Sequence, residues 1–278
     1  MDQFYEYSIP HYRSGTVGIY KRAQELLIEI IGDLMLDQLT PLHWDKYQSV
    51  RLQQVSPATV NIELRTLCSA LNKAVRWKIM SNNPFAQLPL CRIPEKYPEY
   101  FSKQEFRIFN KSMGRDWYKD IIQFAILTGM RRSEITNLRW KNIDLERKII
   151  QVVSNPTFRT KAGKRRIVPI HNYLVPMLKR RFNTDPDRFV FTLRNNKVKE
   201  SYVTHRFSDY KSISGIRKKG LHFHSLRHTF ASWLVQKGVS LYEVQRLLGH
   251  SNIAVTEIYS HLQPCQLHNA VNTLQISS

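Results

Sequence analysis

Residues 89–100 read Pro-Leu-Cys-Arg-Ile-Pro-Glu-Lys-Tyr-Pro-Glu-Tyr, with three prolines and no apolar periodicity. Proline lacks a backbone N–H and pushes the residue before it out of the helical region, so neither a helix nor a sheet interior survives such a stretch. In a chain of 278 residues it marks an extended linker between two folded units. The expected division is a first unit over 1–90, a linker over 91–100 and a second unit over 101–278.

The first unit reads as helical. Val17, Tyr20, Ala23 and Leu27 predict a helix over 16–31, preceded by only some fifteen residues. Thr40-Pro41 and Ser56-Pro57 each place a capping hydroxyl before a proline at the first helical position. The second of these opens a helix carrying Val60, Leu64, Leu67, Leu71, Val75 and Ile79, stopped by Asn82-Asn83-Pro84. There is no strand pattern before residue 90. In the second unit, Ser102-Lys-Gln-Glu105 is a capping box. An apolar helix over 118–127 is broken at Thr128-Gly129 and helical spacing resumes over 132–138. The β signal lies in Lys148–Val153 and Arg165–Ile170, joined through Thr160-Lys161-Ala-Gly-Lys164. Helices return over 225–237, closed at Gly238, and after the cap Ser240-Leu-Tyr-Glu243. Asn252 caps a last helix expected to carry Tyr259. The fold class is mainly α with a small antiparallel β-sheet, a helical unit followed by a mixed α+β unit.

The net charge of +20 points to a polyanionic partner. It is unevenly spread: residues 1–92 carry 10 Lys and Arg against 8 Asp and Glu, and residues 93–278 carry 32 against 14. The second unit therefore holds nearly all the excess. No apolar run approaches membrane-spanning length, and Met1 opens no signal peptide, so a cytoplasmic protein without a membrane partner is expected. Cys68, Cys91 and Cys265 are far apart and lack metal-binding spacing, which suits reduced thiols.

The stretch from His224 to Tyr259 is suited to work on phosphates. It holds His224-Ser-Leu-Arg227, Gly249-His250 and Thr256-Glu-Ile-Tyr259. A guanidinium clamps non-bridging oxygens with two parallel hydrogen bonds. Imidazoles donate hydrogen bonds or move protons near neutral pH, and a phenol can be a nucleophile. Upstream, Thr128-Gly-Met-Arg131-Arg-Ser-Glu134 sets an arginine after a glycine break, with Glu134 in reach to orient it. Singly, each group has an ordinary reading: a helix-end arginine, a turn lysine at Lys161 or Lys164, a cap histidine, a core tyrosine among 13. Residues 225–249 also read as a helix–turn–helix, which fits a DNA-binding regulator. That reading leaves Arg131, Lys161 and Tyr259 without roles.

Over residues 101–265 these boxes, in this order, resemble those of the tyrosine recombinases, the phage integrase family. The first unit resembles that family's core-binding domain. The resemblance implies site-specific cutting and rejoining of DNA through a covalent 3′-phosphotyrosyl intermediate, in the service of a mobile element. It assigns Tyr259 as nucleophile, Arg131 and Arg227 as the oxygen clamp, His250 as a further donor, Lys161 as general acid and His224 as manager of the tyrosine proton, with Glu134 in support. It implies double-stranded DNA held in a clamp by the two units. The local clustering of Arg51, Arg65, Lys73, Arg76 and Lys78 offers the DNA contacts of the first unit, and Arg132, Lys164 and Arg165 are the candidates in the second. It also implies a homotetramer on DNA with exchange of the C-terminal tail, in which Leu267, Val271 and Leu274 keep helical spacing, and accessory DNA-bending proteins. No cofactor and no metal are expected, because neither a carboxylate cluster nor a phosphate-cradling glycine loop is present. The alternatives are strand passage of the type IB topoisomerase kind and a catalytically inactive DNA-binding regulator.

Overall fold

The computed structural model describes residues 2–94, 97–114, 116–153 and 165–263. The backbone divides into two compact units, Met1–Glu95 and Lys96–Ser278. In the first lie helices α1 (Asp2–His11), α2 (Ser14–Ile31), α3 (Pro41–Leu52) and α4 (Pro57–Arg76). The Ser56 hydroxyl accepts the Thr59 N–H at 3.3 Å and starts α4, as a cap should. Val60, Leu64, Leu67 and Leu71 recur at helical spacing and are buried with Leu26, Leu27, Trp44 and Tyr47.

Two expectations fail in this unit. The long helix ends at Arg76, because Lys78 turns into the left-handed region at φ 61°, and Ile79 is left exposed. The helix over 16–31 is not the first, because the stretch before it forms α1. In α1 the only buried residues are Phe4 and Ser8, and Pro10 sits in the last turn, so no apolar period announces it. It is held by Phe4, whose ring meets Tyr20 edge-on at 4.9 Å.

The second unit runs α5 (Lys103–Ser112), α6 (Tyr118–Thr128), α7 (Arg132–Thr136), β1 (Ile143–Asp144), β2 (Ile149–Val152), β3 (Arg166–Pro169), α8 (Val175–Arg181), β4 (Thr192–Leu193), β5 (Asn196–Lys197), α9 (Glu200–Ile213), α10 (Ser225–Gln236), α11 (Leu241–Leu248) and α12 (Ala254–Glu257). The Ser102 capping box forms as expected, with Ser102 Oγ accepting the Glu105 N–H at 3.1 Å and Glu105 accepting the Ser102 N–H at 2.7 Å. Strands β1, β2 and β3 form one antiparallel sheet in that order, with Ile150 opposite Val168 and Val152 opposite Arg166. The sheet's buried side chains Ile150, Val152 and Val168 join Phe124, Ile126, Leu178 and Phe191 in the main core.

A second, smaller core collects Ala231, Val235, Val244, Leu248 and Tyr259 from the last helices. Tyr259 is not on a helix as expected. Its N–H bonds back three residues to Thr256 at 3.0 Å rather than four, so α12 has ended and a 3-10 turn over Ser260–Leu262 follows. None of the described helices is long and apolar enough to cross a membrane.

Candidate active site

The site begins where α6 stops. Gly129 takes φ 61°, a left-handed conformation that lets the chain turn sharply. It also lies under Phe230, where an added Cβ would come 2.4 Å from the ring carbon Cδ1. Met130 is then buried, and Arg131 follows as the residue that opens α7. Glu134 holds Arg131 twice: Oε2 accepts the Arg131 backbone N–H at 2.8 Å, and Oε1 accepts from its Nη1 at 3.0 Å. The expected pairing is present, and it is buried rather than a surface contact.

A residue absent from the expected set completes it. Arg166 of β3 donates from Nη1 and Nη2 to the two Glu134 oxygens at 2.8 and 2.6 Å. Its Nε reaches the Leu247 carbonyl at 3.2 Å, near the end of α11. Burial works against the charge on Glu134, but the hydrogen bonds and charge of Arg166, and then those of Arg131, hold its carboxyl down to about 2. Gly249 makes room for this arginine, since a Cβ there would lie 2.6 Å from Arg166 Cδ.

Arg227, on the first turn of α10, is buried. Its Nη1 and Nη2 donate to the Gly129 and Leu248 carbonyls, each at 2.7 Å. It thereby bridges the turn before Arg131 to the turn before His250. Burial, then the nearby Arg131 charge, bring its pKa down to about 9, so it remains charged at neutral pH. His250 follows the left-handed Gly249 and is fixed by a 2.9 Å hydrogen bond between its Nδ1 and Thr256 Oγ1. Burial, then Arg227, Arg131 and Arg166, lower its pKa to about 4.

Tyr259 is 2% exposed. Burial raises its phenol to about 12, opposed by the positive charge of Arg227. The phenol oxygen lies 2.6 Å from His228 Nδ1. The structure thus puts His228 at the tyrosine hydroxyl, where His224 was expected. His224 opens α10, and its ring meets the His228 ring edge-on at 5.0 Å. It keeps an exposed edge, and its pKa is lowered by burial first and then by His228 and Arg227.

Arg131, Arg227, His224, His250 and Tyr259 therefore belong to one connected set, tied by Glu134, Arg166 and His228. Arg131, Arg165, Arg166 and His250 line a groove of about 1080 Å³. Lys161 and Lys164 lie outside the described residues, between β2 and β3, and so does the tail over 264–278. Arg132 is turned to α9, where its Nε meets Glu200 at 3.0 Å.

In the first unit, Arg65, Lys73 and Arg76 line a hollow of about 410 Å³ with Tyr7, Tyr12 and Trp44. Lys73 Nζ stands 4.0 Å over the Tyr7 ring. Lys78 is exposed beyond α4. Arg51 is a correction. It is buried between α3 and α4 and spends Nε and Nη2 on Glu63 at 2.9 and 2.7 Å, while Tyr47 donates to the same carboxylate. Its charge is neutralised inside the unit and is not offered to a partner.

Arg166 and His228 were legible in principle. In a strand, alternate residues share a face, so Arg166, not Arg165, goes with the buried Val168 and Ile170. His228 lies four residues after His224, one helical turn on and on the same side.

The model of the phage integrase family matches residues 102–265. A tyrosine recombinase of Pseudothermotoga lettingae is 29% identical over 270 residues, which cover 93% of this chain and 90% of that one. Tyrosine recombinase XerD of Proteus mirabilis is 29% identical over 268 residues, covering 90% and 83%. In fold, a lambda integrase dimer bound to a COC′ core site superposes with a TM-score of 0.79 at 16% identity, over 99% of this chain and 97% of that one. The Tn1549 transposon integrase in complex with transposon right end DNA superposes with a TM-score of 0.75 at 20% identity, over 98% and 96%.

Proposed function

The chain belongs to the phage integrase family, and on that premise we propose that it is a site-specific recombinase that cuts and rejoins DNA strands through a 3′-phosphotyrosyl link. The observation that carries this reading is the burial of the Tyr259 phenol beside a cluster of cations. Arg131 and Arg166 share one buried carboxylate, Glu134, with Arg227 close by, and burial first, then the repulsion of neighbouring arginine charges, depresses the pKa of Arg227 and His250. A bound phosphodiester relieves that repulsion, and the relief grows as negative charge builds on its oxygens in the transition state.

Arg131 and Arg227 hold the non-bridging oxygens, and His250 donates to them through Nε2, its Nδ1 being engaged with Thr256. Tyr259 attacks phosphorus, and the 5′-oxygen departs with a proton from Lys161. The phosphotyrosine conserves the energy of the broken bond, so a 5′-hydroxyl can reverse the step without an added energy source. Residues 1–90 act as the core-binding domain, 91–100 as the linker and 101–278 as the catalytic domain. Double-stranded DNA is the partner. Four copies assemble on it through exchange of the tail over 264–278, with accessory DNA-bending proteins, in the cytoplasm. The biological role is integration or excision of a mobile element.

A nicked duplex tests the reading. The wild-type chain should form a denaturation-resistant adduct, and Tyr259→Phe should lose the adduct while keeping DNA binding. An adduct that survives the substitution overturns the nucleophile assignment. Two-site recombination assayed beside supercoil relaxation separates this function from a topoisomerase, which would show relaxation alone.

A further inference from the structure

Burial sets a problem at Tyr259: it makes the phenol harder to ionise, and the phenol must shed its proton to attack phosphorus. The acceptor in contact is His228, with Nδ1 2.6 Å from the phenol oxygen. The two residues come from different elements, α10 and the turn after α12, so the contact is tertiary and is not imposed by local chain geometry. The partly buried His228 is flanked by His224, whose ring is 5.0 Å away. We propose that His228, rather than His224, takes the phenol proton as Tyr259 attacks and returns it on rejoining. This rests on the recombinase reading above.

The step balances. The Tyr259 O–H bond breaks and its proton passes to His228 Nδ1, while the phenol oxygen forms a bond to phosphorus. The bond from phosphorus to the 5′-oxygen breaks, and its electron pair stays on that oxygen, which takes the Lys161 proton. The resting ring must be neutral to accept. Burial, then His222 and Arg227, hold its pKa down to about 4, so it is neutral at pH 7. A phosphodiester bound at Arg131 and Arg227 brings negative charge that opposes the Arg227 effect and makes the ring a stronger base. Proton removal is thereby coupled to the presence of DNA, and the nucleophile stays protonated without it.

The test compares His228→Asn, which keeps a hydrogen-bonding atom near the place of Nδ1 but cannot take a proton, with His228→Phe and His224→Asn. Adduct formation is timed on nicked duplex with the ordinary 5′-oxygen leaving group and with a bridging sulfur in its place. A thiolate leaves without a proton, so any defect in leaving-group protonation is erased on the sulfur substrate. His228→Asn should bind DNA normally and slow the adduct by about 100-fold on both substrates, the range of a lost general base. His228→Phe should do no better, and if it fails to fold the asparagine variant carries the test alone. Unchanged rates in His228→Asn overturn the proposal. Recovery on the sulfur substrate also overturns it, by placing His228 at the leaving group, and so does a larger persistent loss in His224→Asn. Absence of adduct from the wild-type chain would instead overturn the recombinase reading, and His228 with it.

Discussion

Replacing Arg166 by methionine keeps much of the side chain's length and removes the charge that Glu134 depends on. The Glu134 side chain is 1% exposed and that of Arg166 10%, so the pair is dry. Removing one partner of a buried ion pair costs about 3–5 kcal/mol, because the other charge is stranded. Arg131 still donates two hydrogen bonds to Glu134, which puts the expected loss at the lower end, about 3 kcal/mol. The cost should be largest at neutral pH and shrink in acid, where the stranded carboxylate can take a proton. Glu134→Gln in the Arg166→Met background should then cost much less than Glu134→Gln alone, giving a coupling energy above about 1 kcal/mol. Hydrogen exchange in urea, read on peptides spanning α7 and β3, reports the unit that holds the pair. Glu134 also loses the partner that fixes its position, so Arg131 shifts with it, and a misplaced clamp slows chemistry by about 100-fold, seen as adduct formation falling while DNA binding persists. A loss below about 1 kcal/mol, or strict additivity of the two substitutions, would refute the reasoning.

Gly129→Ala should destabilise the second unit by about 1–3 kcal/mol, from a left-handed backbone and a Cβ driven into Phe230, measured by urea denaturation. Arg51→Met should weaken the first unit by about 3 kcal/mol and leave the salt dependence of DNA binding unchanged, whereas Lys73→Met should lower the slope of log affinity against log salt by about 1. Acid should destabilise the second unit through His228 and His250. Both are held neutral, with pKa values near 4 against 6.5 unfolded, so their contribution is full above pH 6.5 and is lost as pH falls toward 4. Each contributes on the order of 3 kcal/mol over that window, visible as a falling urea midpoint between pH 6.5 and 4.5. DNA binding should soften the decline.

The elements legible in the sequence are those whose burial is periodic. Val60, Leu64, Leu67 and Leu71 announce α4, and the Ser102 and Ser240 capping boxes announce α5 and α11. The hairpin of β4 and β5 escaped because each strand has two residues, and its turn uses Arg194 and Asn195 at positive φ in place of a glycine. The site followed the same logic. Arg131, Arg227, His250 and Tyr259 stand in short local patterns that a sequence displays. Arg166 meets Glu134 across 32 positions and His228 meets Tyr259 across 31, so their partners exist only once the chain has folded. Arg51 misled because a lysine- or arginine-rich face and a buried ion pair look alike until Glu63 is placed beside it.

The central claim is that Tyr259 forms the covalent link to DNA, and the most direct measurement is peptide mapping of the adduct. Trapped on a nicked duplex, digested with nuclease and protease and sequenced by mass spectrometry, the chain should carry its nucleotide remnant on Tyr259, joined through a 3′-phosphate. A remnant on any other residue, or a link through the 5′ end of the strand, would contradict the account.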